Sequence, residues 1–308
     1  FADWEIDGPI EWNGAWVSSK RCRRCREHVP DIKDFRSFQT KLREVRSQLQ
    51  REAFGDNVTR YFPEALVGNY GVNPHNGYRY WYDYFERETP GAPALSDQRA
   101  RYREWNHEFE PCGYTFAMPV VYTWYRTFGW YDFEPKDYRW FYNMMLVTSN
   151  AGQHTSQQTP IIPFVHWHTT APPDNPDPSV EQFSKENYQE LLWHMLLRGH
   201  DTFFLWCTGR ELATEIQLVH EVYRESLQYS GFIDRGVPVQ FNVPSKPSPV
   251  VSGLRLGNRV LARRTDFGTR TGNETLTLAE GGEVSVAAKR GMQILTVEKK
   301  PRHPGILK

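Results

Sequence analysis

The stretch P-I-I-P-F-V-H-W-H at 160–168 carries the reading of the fold. It is a short run of β-branched and aromatic residues, which predicts a buried strand. The Pro-rich loop 172–178 follows, then a candidate N-cap at Ser179 or Ser184 and a predicted helix over 185–198. That helix stops at Gly199, a residue suited to the C-terminal cap. D-T-F-F-L-W-C at 201–207 then reads as a second strand, and 211–228 as a second helix.

The same alternation extends upstream. F-A-M-P-V-V-Y-T-W-Y (116–125) reads as a strand and 136–148 as a helix. A-L-V-G-N-Y-G-V (65–72) is a further strand candidate, entering a loop with Tyr70, Pro74, His75 and Asn76. Before it, Ile32, Phe35, Phe38, Leu42, Val45 and Leu49 recur every three or four residues, which predicts an amphipathic helix stopping near Gly55. The opening F-A-D-W-E reads as the end of a strand running into a loop.

Strands that alternate with helices predict parallel α/β units. Four or five such units do not close an eight-unit barrel. Either the first units precede Phe1, or the sheet is open. The strand-like opening favours the first option, an α/β fold of the (β/α)8 or TIM-barrel type whose N-terminal strands are absent from this chain. From about residue 244 the pattern changes to short alternating runs, R-V-L-A-R-R-T, E-T-L-T-L, E-V-S-V-A-A and Q-I-L-T-V. These predict a small antiparallel β-sandwich domain over 244–308, joined through P-S-K-P-S-P to a partial barrel catalytic domain over 1–240.

Composition narrows the function classes. Net charge is zero, with 37 basic and 37 acidic residues, so nothing steers the whole chain towards nucleic acid or an anionic membrane. No apolar run is long enough for a membrane-spanning helix. Aromatics make up 15% of the chain, which builds a core and also suits a sugar-binding cleft, where flat rings stack on pyranose faces. The first residue is Phe, so the lack of a visible leader does not argue for the cytoplasm; a secreted or periplasmic location is the expectation. Cys22 and Cys25 form C-R-R-C without a second pair at metal spacing, so a local disulfide or free thiols outweigh zinc.

Asp3 and Glu5 carry the expected chemistry. Residues i and i+2 of a strand point to one face, so the two carboxyls would be neighbours at a strand's C-terminal end. Close carboxylates raise one pKa, and that group can hold a proton at neutral pH. Glycosidic cleavage needs such a donor at the leaving oxygen, and negative charge at the oxocarbenium-like centre.

Several segments together resemble the hyaluronidase family of glycoside hydrolases. D-W-E looks like that family's strand-end acid motif, and Y-G-V-N-P-H-N-G-Y (70–78) like its Tyr- and Pro-containing segment. M-P-V-V-Y-T-W (118–124), I-I-P-F-V-H-W-H (161–168) and L-L-R-G-H-D-T-F-F-L-W (196–206) resemble its successive later strands. The order agrees from residue 1 to about 230. The resemblance implies substrate-assisted cleavage of an N-acetylhexosamine-containing glycan. Glu5 would protonate the leaving oxygen, and Asp3 would orient the substrate's own acetamido group. Tyr122 would hold that group and Trp206 would floor the sugar pocket, with Tyr70 and Trp124 lining it. The chain departs from the family at His166-Trp167-His168, where Tyr and Trp prevail, and in its disulfides and tail.

His166 and His168 lie two apart on a predicted strand and could share a metal, but no third ligand stands at suggestive spacing, so hydrogen bonding to sugar hydroxyls is preferred. No metal or cofactor is expected. Glu211 and Glu215 follow the Trp206 strand, and Glu211 could serve a retaining mechanism as nucleophile; alternatively it is a helix N-terminal carboxylate favoured by the dipole. The expected partner is a polysaccharide or oligosaccharide. Three readings stay open: a substrate-assisted glycosidase, a retaining glycosidase on a non-acetylated polysaccharide, and a non-catalytic carbohydrate-binding protein.

Overall fold

A computed structural model of the protein describes residues 47–68, 111–124, 135–170, 183–206, 212–268, 271–279 and 281–298, together with Arg23, Glu27 and Glu44. Asp3, Glu5, Tyr70, Glu211, Cys22, Cys25 and Cys207 lie outside the described residues.

Three parallel strands form the first sheet, in the order β1 (Val120–Trp124), β2 (Phe164–Thr170), β3 (Phe204–Leu205). Helix α2 (Lys136–His154) connects β1 to β2, and α3 (Lys185–Leu196) connects β2 to β3. A helix, α4 (Leu212–Ser226), follows β3, and α5 (Ser230–Arg235) follows after a short 3-10 turn. Near the chain start, a π-helical turn at Arg51–Gly55 runs into α1 (Asp56–Tyr61).

Local chemistry explains α3. Ser184 takes the extended cap conformation and its hydroxyl accepts from the backbone N–H of Asn187 at 3.2 Å. Asp137, in the first turn of α2, accepts from the Ser184 backbone and hydroxyl, both at 2.7 Å, and from the Asn187 amide at 2.6 Å. The two helix starts are therefore tied to one carboxylate. At the other end Gly199 has φ +89°, the left-handed conformation that only glycine adopts without strain, and the chain turns there into β3.

The tail is antiparallel. β4 (Val237–Pro238), β5 (Val250–Leu256), β6 (Arg259–Thr265) and β9 (Met292–Thr296) form one sheet in that order. β7 (Glu274–Thr277) and β8 (Glu283–Val286) form a hairpin. Val251, Val260 and Ala262 of the larger sheet pack in one core with Leu276, Val284 and Val286 of the hairpin. A second, larger core joins Phe141 and Met145 of α2, Leu191 and Leu192 of α3 and Val165 of β2 to Val250 and Phe267 of the tail. The Phe267 ring meets those of Tyr138, Phe141 and Tyr142 at centroid separations of 4.7, 4.7 and 5.2 Å.

This corrects the expected (β/α)8 barrel. The described residues form a three-stranded parallel sheet, beyond which the chain turns into antiparallel pairing. Alternating strands and helices report local parallel crossovers, and they hold here for two consecutive units; closure into eight depends on long-range pairing that local alternation does not encode. Two smaller expectations change as well. Helix continues through Gly55 to Tyr61, because this glycine serves close approach: a Cβ there would sit 3.0 Å from the Cys112 carbonyl oxygen. Residues 65–68 do not form a strand, although the Val67 carbonyl accepts from the Thr115 N–H at 2.8 Å.

Candidate functional site

The register of the parallel sheet aligns three residues from separate segments. Tyr122 of β1 stands opposite His166 of β2, and Val165 stands opposite Leu205, so Trp206 follows at the level of His166. The Trp206 N–H bonds to the Val165 carbonyl at 2.9 Å, which holds the row at β3. Laterally aligned residues of a sheet share a face. The Trp206 ring indeed meets the His166 ring edge-on, with centroids 5.6 Å apart at 85°. Trp124 ends β1 one irregularity further on, opposite Thr170, and His168 lies two residues after His166 along β2. The row crosses the middle of β1 and the first half of β2 and reaches the carboxyl end of β3, where open α/β sheets bind ligands.

His166 is buried and held from behind. Its Nδ1 lies 3.1 Å from Oε2 of Glu215, a fully buried carboxylate in the first turn of α4. The other oxygen of Glu215 accepts from the Tyr188 hydroxyl of α3 at 2.7 Å and from the Trp167 N–H at 2.9 Å. A carboxylate only accepts, so Nδ1–H of His166 donates and, in the neutral ring, Nε2 carries the lone pair. Three separate elements thus fix the tautomer and plane of one imidazole. The neighbouring indole of Trp167 donates to the Phe183 carbonyl at 2.8 Å and is committed to the fold.

Trp206 is 37% exposed, an indole presented to solvent beside a rigid imidazole. An apolar ring face next to an oriented hydrogen-bonding ring can grip a molecule with one flat apolar face and a polar rim. Among the described residues no group of three His, Cys, Asp or Glu side chains could hold a metal, and His166 spends Nδ1 on Glu215.

Of the residues singled out from sequence, Tyr122, His166 and Trp206 come together in the row, with Trp124 and His168 further along the same strands. Asp3, Glu5, Tyr70 and Glu211 fall outside the described residues. Glu215 is the residue that sequence reasoning passed over in favour of Glu211. Its signal was present: Glu215, Leu218 and Val222 are spaced by three and four on the buried stripe of α4. A carboxylate on that stripe must be partnered inside the protein.

The sequence matches no protein-family model, and no curated protein is significantly similar to it.

Proposed function

We propose that the chain is a glycoside hydrolase acting on a polysaccharide, with Glu5 as proton donor and Asp3 beside it. The observation that carries this reading is the row of Tyr122, His166 and Trp206 across the parallel sheet, with the half-exposed indole against the immobilised imidazole. Glycan recognition asks for that pairing: a ring to stack on a pyranose face and a fixed donor or acceptor to read its hydroxyls. The Asp-Trp-Glu sequence supplies what the row lacks, a carboxylic acid able to protonate a leaving oxygen. The segments similar to the hyaluronidases support an N-acetylhexosamine-containing substrate whose acetamido oxygen attacks the anomeric carbon while Asp3 steadies the positive charge.

The test is release of reducing ends from a panel of polysaccharides, acetamido glycans included. Wild-type protein should release them, and Glu5→Gln should lose about 10²-fold or more of the rate while keeping its fold by circular dichroism. Turnover by Glu5→Gln above about a tenth of wild type would remove Glu5 from the role. Binding of glycans without any cleavage by the wild type would make the chain a carbohydrate-binding protein instead.

A further inference from the structure

A cleft lies at the end of the parallel sheet where its strands begin. Helix α2 starts after β1 and ends just before β2, so its last two turns stand at the side where the strands begin. Between those turns and the segment 239–243 lies a cavity of about 500 Å³, within the range of small-molecule sites. Asn150, Gln153 and His154 line it from the helix, and Gln240, Phe241 and Asn242 from the facing segment. No Asp, Glu, Lys or Arg is among its lining residues.

The cleft is built and rigid. The carbonyls of Phe241 and Asn242 accept from the buried Arg198 guanidinium at 2.9 and 3.1 Å. Gln240 accepts from the Asn242 N–H at 2.9 Å, which fixes its amide. Gly152 lets α2 seat against this wall, since a Cβ there would overlap the Arg198 carbonyl and the Phe241 ring. Asn150 is only 6% exposed, and its Nδ2 finds no acceptor among the described residues. A buried amide donor left without a partner costs about 1–3 kcal/mol, and a ligand oxygen would recover it.

We propose that this cleft binds a neutral carbohydrate of one or two sugar units. Amides supply a donor and an acceptor each, the match for a hydroxyl that also gives and takes. Phe241 adds an apolar ring. A charged ligand would find no Asp, Glu, Lys or Arg side chain on the walls to pair with, because the Arg198 guanidinium behind them is spent on protein oxygens, and it would lose its hydration without return. The proposal does not depend on Glu5 being a catalyst.

Isothermal titration of the full chain with maltotriose and with the N-acetylglucosamine trisaccharide tests it, run in the Glu5→Gln background so that hydrolysis cannot interfere. One of the two should bind, and binding should weaken about tenfold in Asn150→Leu and in Asn242→Ala, the loss of roughly one good hydrogen bond each. Asn242 is exposed, so its variant leaves the fold intact and reads the site even where the buried change does not fold. A trisaccharide carrying a uronate should bind more weakly than its neutral counterpart. No heat with either neutral sugar at tens of millimolar, unchanged affinity in Asn242→Ala, or preference for the uronate would each overturn the proposal. Since the readout is binding, a failed hydrolysis assay leaves it standing, and its failure leaves Glu5 untouched.

Discussion

Arg198 is the residue on which the two halves of the fold meet. It is fully buried at the end of α3, and its guanidinium donates to the hydroxyls of Ser252 and Ser149 and to the carbonyls of Phe241, Asn242 and Val251. Five donors in a planar fork meet five oxygens, which a lysine ammonium with three mobile donors cannot reproduce. Arg198→Lys should therefore destabilise the protein by about 3–5 kcal/mol, the range seen when a buried charge loses its partners. Urea denaturation reads this directly, and a loss below about 1 kcal/mol would show that water replaces the lost bonds. Glu215 makes a comparable case at the candidate site. Glu215→Gln keeps the shape but turns an acceptor of three hydrogen bonds into a group whose amide must face donors at His166, Trp167 or Tyr188. A cost of about 1–3 kcal/mol should follow. Turnover on any polysaccharide the wild type cleaves should fall as well, because the imidazole loses its fixed tautomer. Unchanged turnover would mean that the row binds without needing that orientation.

At the scale of elements, α2 and α3 share their start. Ser184→Ala removes the cap of α3 and one of the three donors that Asp137 holds. About 1–2 kcal/mol of stability should go, at the upper end of the range for helix caps, with hydrogen exchange rising first in the opening turn of α3. Exchange rising evenly over the whole chain would argue against so local an effect. The element level is also where the sequence was most readable. The apolar runs at 116–125, 160–168 and 201–207 mark β1, β2 and β3, since each is short and bounded by turn residues. The caps Ser184 and Gly199 are local chemistry and stand where expected. β5 is not legible in the sequence because its first five residues are all buried, so no alternation marks it. Alternation does not encode barrel closure, because which strands become neighbours depends on residues far apart in the chain. In the site, His166 is legible as a strand ring and Trp206 as a strand-end ring, whereas Glu215 is hidden among helix charges and only its position on the buried stripe shows that it faces inward.

Across the whole molecule, one hydrogen-bonded chain runs from the helices into the antiparallel sheet, and it sets how the protein should respond to acid. Arg198 donates to Ser252 at 2.8 Å, and Ser252 bonds Nδ1 of His194 at 2.7 Å. Nε2 of His194 bonds Thr265 at 3.0 Å, and Thr265 donates to Glu190 at 2.6 Å. Glu190 in turn holds Arg263 in a bidentate pair at 2.7 and 2.8 Å. Because Thr265 gives its one proton to Glu190, its oxygen accepts from Nε2–H of His194, so in the neutral ring Nδ1 is unprotonated and takes the proton of Ser252. Burial, reinforced by Arg198 and Arg263, holds the His194 imidazole well below its ordinary pKa of 6.5. Burial likewise pushes His200, two residues after Arg198 in the sequence, down to about 3. Both histidines are neutral in the fold and bind protons more readily in the unfolded chain. A folded pKa below the unfolded one means stability is complete above about pH 6.5 and drains away as pH falls towards the folded value. Each such group contributes a slope of up to about 1.4 kcal/mol per pH unit. Asp201 works in the opposite direction, since partial burial raises its carboxyl pKa, so the cleanest window lies between pH 6.5 and 5. Urea midpoints should fall steadily through that window. His200→Phe replaces a titrating ring by one that does not titrate, so the variant should lose less stability than the wild type between pH 7 and 5. Equal slopes for the two proteins would show that His200 exchanges its proton in the folded state as freely as in the unfolded one.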